Sequence, residues 1–364
     1  MEHSAYPPGK PEGKPEPGAA RRWFTDRAHW FLGLDKRFRI ATAAGLALLL
    51  AGFAVLGLTL SGGNNGGTSG TPAHPAAEAP GGPQASPNPL TGDTKPAGKI
   101  LAVKIDNVGA ATQARHAGLN AADIVYALRV EGGLSRLMAV YDSNNAPATT
   151  GPVRSARETD LPILAAYGKV AFAYSDAANR FLPDLAAANL FSVTPRTYDG
   201  FSNGGSSPTF ISPPDVFTAF PDAVTAPDIG LRFAGAPNTP PGGTPSKEFV
   251  LRMPAATFGF SWDGTNYLVS TDGRDAVTDG TQRVTATNVI VQHVNIVPGR
   301  FSDTNAENAV FSETTGTGTA EVHRNGLVYS CTWSKPTDTA PTTYSLDGAP
   351  MPLQPGRTWI VLVP

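Results

Sequence analysis

One uninterrupted apolar segment, residues 40–60, constrains this chain more than any other feature. The segment reads IATAAGLALLLAGFAVLGLTL and contains no charged side chain. It has the ~20 residues that a helix needs to cross a ~30 Å hydrocarbon layer. Six Lys and Arg residues lie between positions 21 and 39, whereas none occurs from residue 40 until Lys95. Because positive residues stay on the cytoplasmic side, this asymmetry predicts a single-pass cell-membrane helix with a cytoplasmic N-terminus and extracellular C-terminal domains.

A cleaved signal peptide is the competing interpretation of the same segment. Its charged leader would be unusually long, and the A-x-A sequence at 77–79 lies too far beyond the apolar run for a cleavage site. A buried globular helix is a third interpretation, but the strongly polar flanks offer nothing to bury it. We therefore expect an uncleaved anchor and a function at the outer face of a membrane.

Changes of composition divide the rest of the chain. Residues 1–39 are rich in Pro, Gly and charged side chains and predict a disordered basic cytoplasmic tail. Residues 61–89 are rich in Gly, Pro and Ala and predict a flexible linker. Mixed helix and strand patterns over 90–236 predict a first domain of the α+β or α/β class. The run PNTPPGGTP at 237–245 predicts a linker to a mostly β second domain, residues 246–364.

Charge and cysteine content exclude several classes of protein. The formal net charge is −2, so the chain has no basic field of the kind that nucleic acid attracts. Its single cysteine, Cys331, excludes an internal disulfide framework, and the alternating VYSCTW context predicts that this thiol is buried in a strand. The histidines in the predicted domains have no metal-ligand spacing.

The segment GPVRSAR at 151–157 is the best candidate for a binding site. Arg154 and Arg157 flank a predicted helix N-terminus, and Arg136 precedes them in LSR. A guanidinium makes paired hydrogen bonds to phosphate or carboxylate, and a helix N-terminus favours the same anions. The alternative is that the arginines pair internally and stabilise the turn, and the sequence alone favours neither.

We expect acidic and amide side chains beside these arginines, and the catalytic residues, if any, are unknown. The candidate ligand-binding residues are Asp106, Asn107, Asp123, Glu131, Arg136, Arg154 and Arg157.

Several short motifs resemble one bacterial family in sequence and order. They are NPLTG at 88–92, VKIDN at 103–107, ADIVY at 122–126, VEGG at 130–133, GPVRSAR at 151–157, TNVIVQ at 287–292 and PGRTWI at 355–360. Together they resemble the YerB-type lipoprotein family, which is defined by a two-part domain of unknown function. The resemblance covers 88–364 and implies a protein of the cell envelope. Family members commonly carry a lipobox cysteine, which is absent here, so the 40–60 helix is expected to replace the lipid anchor.

A second resemblance, in topology alone, is to the LytR-CpsA-Psr cell-wall ligases. Those enzymes also combine a cytoplasmic stub, one membrane helix and an external α/β domain. In that family arginines hold a lipid carrier's pyrophosphate and carboxylates bind a divalent metal. The resemblance implies an alternative function, a phosphotransferase acting on a polyprenyl-pyrophosphate-linked cell-wall polymer with Mg²⁺ near Asp106 and Asp123. The Pro-Arg-Asp run of that family is absent.

The first expectation is therefore a protein without a cofactor. It would bind an anionic cell-wall or polyprenyl-phosphate ligand, or an envelope protein partner, through the arginine-rich motif, and it would not bind nucleic acid.

Overall fold

The computed structural model of this chain describes residues 87–203, 209–234, 239–302 and 308–364. The predicted cytoplasmic tail and membrane helix, and the predicted linker up to residue 86, lie outside these described residues. Across the described ranges, the search for a helix of sufficient length and apolarity to cross a bilayer finds none. These ranges are mostly β-strand with a few short helices.

The first predicted domain combines strands with short helices. Its strands are β1 (Ile100–Asp106), β2 (Ile124–Arg129), β3 (Ser135–Asp142), β4 (Thr150–Val153), β5 (Val170–Ala173), β6 (Leu190–Val193), β7 (Phe201–Asn203), β8 (Thr209–Ile211) and β9 (Arg232–Phe233). Its helices are α1 (Ala110–Gln113), α2 (Asp160–Ala165), α3 (Leu182–Ala187) and α4 (Pro213–Ala219), with 3₁₀ turns at Leu119–Ala121 and Glu131–Gly133.

From residue 239 onward the regular elements of the described residues are all strands. They are β10 (Thr244–Pro245), β11 (Glu248–Met253), β12 (Ala256–Trp262), β13 (Tyr267–Thr271), β14 (Arg274–Asp275), β15 (Val277–Thr278), β16 (Gln282–Arg283), β17 (Thr285–Ala286), β18 (Asn288–His293), β19 (Ile296–Ser302), β20 (Asn308–Ser312), β21 (Gly316–Arg324), β22 (Leu327–Lys335), β23 (Thr343–Leu346), β24 (Ala349–Pro350), β25 (Pro352–Leu353) and β26 (Thr358–Val363).

One long sheet joins strands from both predicted domains. Its order is β24-β23-β22-β21-β18-β26-β2-β3-β1-β4-β8-β7, with β5 and β6 extending from β1 and β10 from β22. The last strand, β26, is parallel to both of its neighbours and aligns Thr358 with Asn288 of β18 and with Ile124 of β2. The 90–236 and 246–364 segments are therefore hydrogen-bonded to each other, and part of the predicted linker at 237–245 forms β10 on β22.

The central strands are mostly apolar because both faces of the long sheet are buried. On one face, Ile290 and Ile360 belong to a core that includes Ile163 of α2. On the other face, Val289 and Val361 belong to a second core, which includes Phe258 and Phe260 of the smaller sheet.

Local sequence signals for turns agree with the structure. Asn325 and Gly326 both adopt positive φ, as a two-residue hairpin of type I′ requires, and they join β21 to β22. Asp263 and Gly264 lie in the turn between β12 and β13. Helix α2 begins at Asp160, which places Pro162 in its first turn, where a missing N–H costs little. Cys331 is buried, as predicted.

Candidate functional site

The predicted arginines gather around one carboxylate at the end of β1. The β1–β3 register places Asp106 opposite Arg136, and β4 ends immediately before Arg154. The Asp106 Oδ1 atom lies 3.2 Å from Arg136 Nη1, and its Oδ2 atom lies 3.4 Å from Arg154 Nε. The guanidiniums of Arg136 and Arg154 therefore share the Asp106 carboxylate, which links β1, β3 and the segment after β4.

The third arginine pairs with a different carboxylate. Arg157 Nε lies 2.8 Å from both Glu131 oxygens, and the Arg157 backbone N–H donates to Asp160 Oδ2 at 2.7 Å. The other oxygen of Asp160 lies 2.5 Å from Lys104 Nζ, and neither of these two side chains is exposed. Burial lowers the pKa of Lys104, against the attraction of the Asp160 carboxylate. These contacts connect the partly accessible Arg157 to the fully buried Lys104 through Asp160.

These contacts are the internal pairing that the sequence left open as the alternative to ligand binding. Arg154 retains the largest exposure among the three arginines, with 48 % of its side chain accessible. Asn107 is also internal, since its Nδ2 donates to Ser135 Oγ at 2.8 Å, and its buried Oδ1 has no hydrogen-bond partner. Six of the seven predicted residues thus form one charged cluster, in which every arginine has a carboxylate partner.

Asp123, the seventh residue, lies at the other end of the same strands. Its Oδ2 accepts a hydrogen bond of 2.6 Å from the backbone N–H of Asp142, and Asp142 is paired with Ile100 at the start of β1. The seven residues of β1 separate this end from Asp106, and at ~3.3 Å per residue the two ends are about 20 Å apart. Asp106 and Asp123 do not share a site, so the pairing that the phosphotransferase alternative needed is absent. Among the described residues, no group of three or more His, Cys, Asp or Glu could hold a metal.

A cavity of roughly 400 Å³ opens beside Asp123. It lies where the NPLTG motif meets the PGRTWI motif from the other end of the chain, and the Gly356 N–H donates to the Thr91 carbonyl at 2.8 Å. The polar side chains that line it include Asn88, Thr91, Asp123, Asp142, Asn144 and Arg357.

The walls of this cavity are held by hydrogen bonds. The Asp142 carboxylate accepts from Asn88 Nδ2 at 2.7 Å, from the Gly98 N–H at 2.7 Å and from the Asn144 N–H at 2.9 Å. These three donors fix the orientation of the Asp142 carboxylate, which connects the segment from Asn88 to Gly98 with the end of β3.

The arginine of the cavity is also held in place. Arg357 donates from Nη1 to the Asn120 carbonyl at 2.6 Å and from Nη2 to Thr285 Oγ1, while its buried Nε has no hydrogen-bond partner. Its guanidinium therefore joins the 3₁₀ turn after α1 to β17 through one hydrogen bond from each Nη group.

Asp123 is the most perturbed acid of this wall. Burial raises its pKa to about 7, and the charge of Asp142 acts in the same direction, whereas the Asp142 N–H and the Arg357 charge oppose the shift. Near neutral pH a substantial fraction of the side chain is an uncharged carboxyl, which can donate a hydrogen bond as well as accept one.

Sequence reasoning missed most of this cavity. Asp142, Asn88 and Arg357 carry no spacing signal, because they meet only when β26 inserts between β18 and β2. One sequence signal pointed to this cavity: NPLTG and PGRTWI are the first and the last of the motifs that resemble the YerB-type family.

Comparisons with known proteins agree with this architecture. Residues 89–212 match the N-terminal domain, and residues 249–360 the C-terminal domain, of a family described as protein of unknown function (DUF3048). The crystal structure of YerB protein from Bacillus subtilis superposes with a TM-score of 0.62 and 22 % identity, over 76 % of this chain and 96 % of that chain. At that identity the likeness shows the fold alone. No curated protein matches the chain. The chain therefore belongs to the DUF3048 family, and the predicted YerB-type resemblance is confirmed.

Proposed function

We propose that this protein is a membrane-anchored, extracytoplasmic binding protein of the cell envelope, and that the cavity beside Asp123 takes an uncharged, hydroxyl-rich saccharide unit. The observation that carries the proposal is the cavity itself, of roughly 400 Å³ with a buried carboxyl, a fixed carboxylate and amides in its wall. Small-molecule sites are concave, largely pre-formed and oriented by a few fixed polar groups. The anchor at 40–60 and its charge asymmetry support the envelope location.

The polar groups of the wall suit hydroxyl groups. An amide offers a donor and an acceptor side by side, and a half-protonated carboxyl does the same, so each can bond a ligand hydroxyl in both directions. Asn144 and Asn145 at the rim are exposed, so their side chains are accessible to a ligand. Asp142 already accepts three hydrogen bonds from the protein, so we assign it the role of holding the wall.

The charges of the cavity disfavour a pyrophosphate. Three acids line it, Asp93, Asp142 and the partly protonated Asp123, together with two cations, Lys95 and Arg357. Both Nη groups of Arg357 are bonded to the protein. A multiply charged anion would thus meet no excess of positive charge, and the nearby carboxylates would repel it. An anionic ligand at the arginine cluster would have to displace the carboxylates that already pair there.

The test is binding by the full chain in detergent. Ligand-observed NMR and calorimetry would be run with N-acetylglucosamine, galactose, mannose and arabinose, and with undecaprenyl pyrophosphate in the same detergent. We expect a saccharide to bind and Asn144→Ala or Asp123→Ala to weaken it about tenfold, the effect of losing one good hydrogen bond. Arg154→Ala is the matched control at the other end of β1, and we expect wild-type binding from it.

Three results would contradict the proposal. One is tighter binding of the pyrophosphate than of any saccharide, which would support the phosphotransferase alternative. Another is loss of binding in Arg154→Ala with no change in Asp123→Ala, which would show that the ligand binds at the arginine cluster. The third is the absence of saccharide binding by the folded wild type.

A further inference from the structure

A second cavity lies at the carboxyl ends of two parallel strands, away from the proposed saccharide site. Strands β5 and β6 pair in parallel from Val170 opposite Leu190 to Ala173 opposite Val193, and α3 connects them. The loops that follow the two strands enclose a volume of roughly 250 Å³. The carboxyl ends of parallel strands are where α/β sheets bind their ligands, because the loops there diverge from a rigid base.

The inner wall of this cavity is apolar on one side and carries hydroxyl groups on the other. Leu182 and Ala186 of α3 supply the apolar side. On the other side Tyr174 donates through its hydroxyl to Ser192 Oγ at 3.1 Å, and Thr197 Oγ1 donates to the Ser192 carbonyl at 2.8 Å. The hydroxyls are engaged with one another and with the backbone, so they define the shape of the cavity and leave the recognition of charge to the rim.

One ion pair spans the rim. Arg196, in the loop after β6, donates through Nη2 to Asp176 Oδ1, in the loop after β5. Both side chains remain largely accessible, 64 % for Arg196 and 55 % for Asp176. An exposed pair of this kind contributes little to stability, since water screens it and two flexible side chains must be ordered. Little is lost when a ligand separates the pair, provided that the ligand offers a partner to each member.

We infer that this cavity binds a small zwitterion, a free α-amino acid with an aliphatic side chain. Its carboxylate would accept two hydrogen bonds from the guanidinium of Arg196, and its ammonium would donate to the carboxylate of Asp176. Its side chain would lie against Leu182 and Ala186. A ligand with only one of the two charges would leave either Arg196 or Asp176 without its counter-charge. This inference does not depend on the saccharide proposal, because the two cavities share no residue.

The experiment compares alanine with two analogues that each lack one charge. The full chain in detergent would be titrated with L-alanine, D-alanine, N-acetylalanine and alaninamide, followed by ligand-observed NMR and calorimetry. We expect at least one alanine enantiomer to bind tenfold or more tightly than both analogues. We expect Arg196→Gln and Asp176→Asn each to remove that preference without changing the melting temperature, since both side chains are exposed.

The control variant is Arg232→Gln, which breaks another exposed ion pair, with Asp228 at 2.8 Å, outside this cavity. It should bind alanine like the wild type. The inference is overturned if neither enantiomer binds, if an analogue binds as well as alanine, or if the Arg196 and Asp176 variants keep the wild-type preference. Saccharide binding tested in the same samples shows separately whether the first cavity works.

Discussion

Arg157 holds Glu131 through one nitrogen, with Nε 2.8 Å from each oxygen of a carboxylate that is itself buried. The pair joins the loop between β2 and β3 to the segment that leads into α2. Within the arginine-rich motif, Arg157 is therefore an internal cross-link between two parts of the fold.

Replacement of Arg157 should destabilise the protein. Arg157→Met leaves the Glu131 carboxylate buried without its partner, and breaking a buried pair from one side costs about 3–5 kcal/mol. Denaturant unfolding would measure this loss. Arg154→Met is the matched control, because its side chain is half exposed and Asp106 keeps Arg136, so we expect a change within about 1 kcal/mol. Equal effects of the two variants would contradict the structural role of Arg157.

The stability of the protein should depend on pH through Asp123. Its folded-state pKa of about 7 lies above the ordinary value of 3.8, so between these values the folded state binds a proton that the unfolded state does not. The free energy of unfolding contributed by this group therefore falls as pH rises from about 4 to about 7.

Asp123→Asn removes this titration and keeps an acceptor for the Asp142 N–H. We expect the variant to gain stability relative to the wild type as pH rises from 4 to 8, by up to about 4 kcal/mol at 1.36 kcal/mol per pKa unit. Unfolding curves at several pH values would test this. A stability difference that does not change with pH would rule out the raised pKa.

His323 should produce a pH dependence of the opposite sign. Burial lowers its pKa to about 3 from 6.5, and its ring stacks on Phe249 with centroids 3.7 Å apart. Between pH 6.5 and 3 the unfolded state binds a proton that the folded state excludes, so this group makes the protein less stable as pH falls. In His323→Phe, which keeps an aromatic ring, we expect a shallower loss of stability in acid. Parallel acid profiles for variant and wild type would refute this.

The NPLTG motif needs a glycine at position 92 for two reasons, the backbone angle there and the side chain of Phe233 packed against it. Gly92 has φ +69°, and a Cβ atom there would overlap the side chain of Phe233. Gly242 also has positive φ, +84°, but has open space around it. We expect Gly242→Ala to cost about 1–2 kcal/mol from the left-handed backbone alone, and Gly92→Ala to cost about 1–3 kcal/mol more from overpacking. Thermal and denaturant unfolding of the two variants would measure the difference, and equal losses would exclude the role of the contact with Phe233.

Much of the local structure was predictable. The Asn325-Gly326 hairpin, the strands at 100–105 and 359–363, and the buried Cys331 all follow from turn chemistry and from short apolar runs, which depend on neighbours in the chain. The start of α2 was also constrained, because Pro162 is tolerated in the first turn of a helix and not beyond it.

Apolar runs and turn residues in the sequence were enough to locate several strands and hairpins, the motifs of the DUF3048 family and the apolar segment 40–60. Which charged residues meet depends on the tertiary structure. Asp106 and Asp123 are 17 positions apart in the sequence and lie at opposite ends of the same strands. Asp123 and Arg357, in contrast, are brought together by β26, the last strand of the chain. Strand pairing in this sheet is non-local, so the order of its strands cannot be read from the spacing of residues, and that order places the arginines among carboxylates and opens the cavity at the other end.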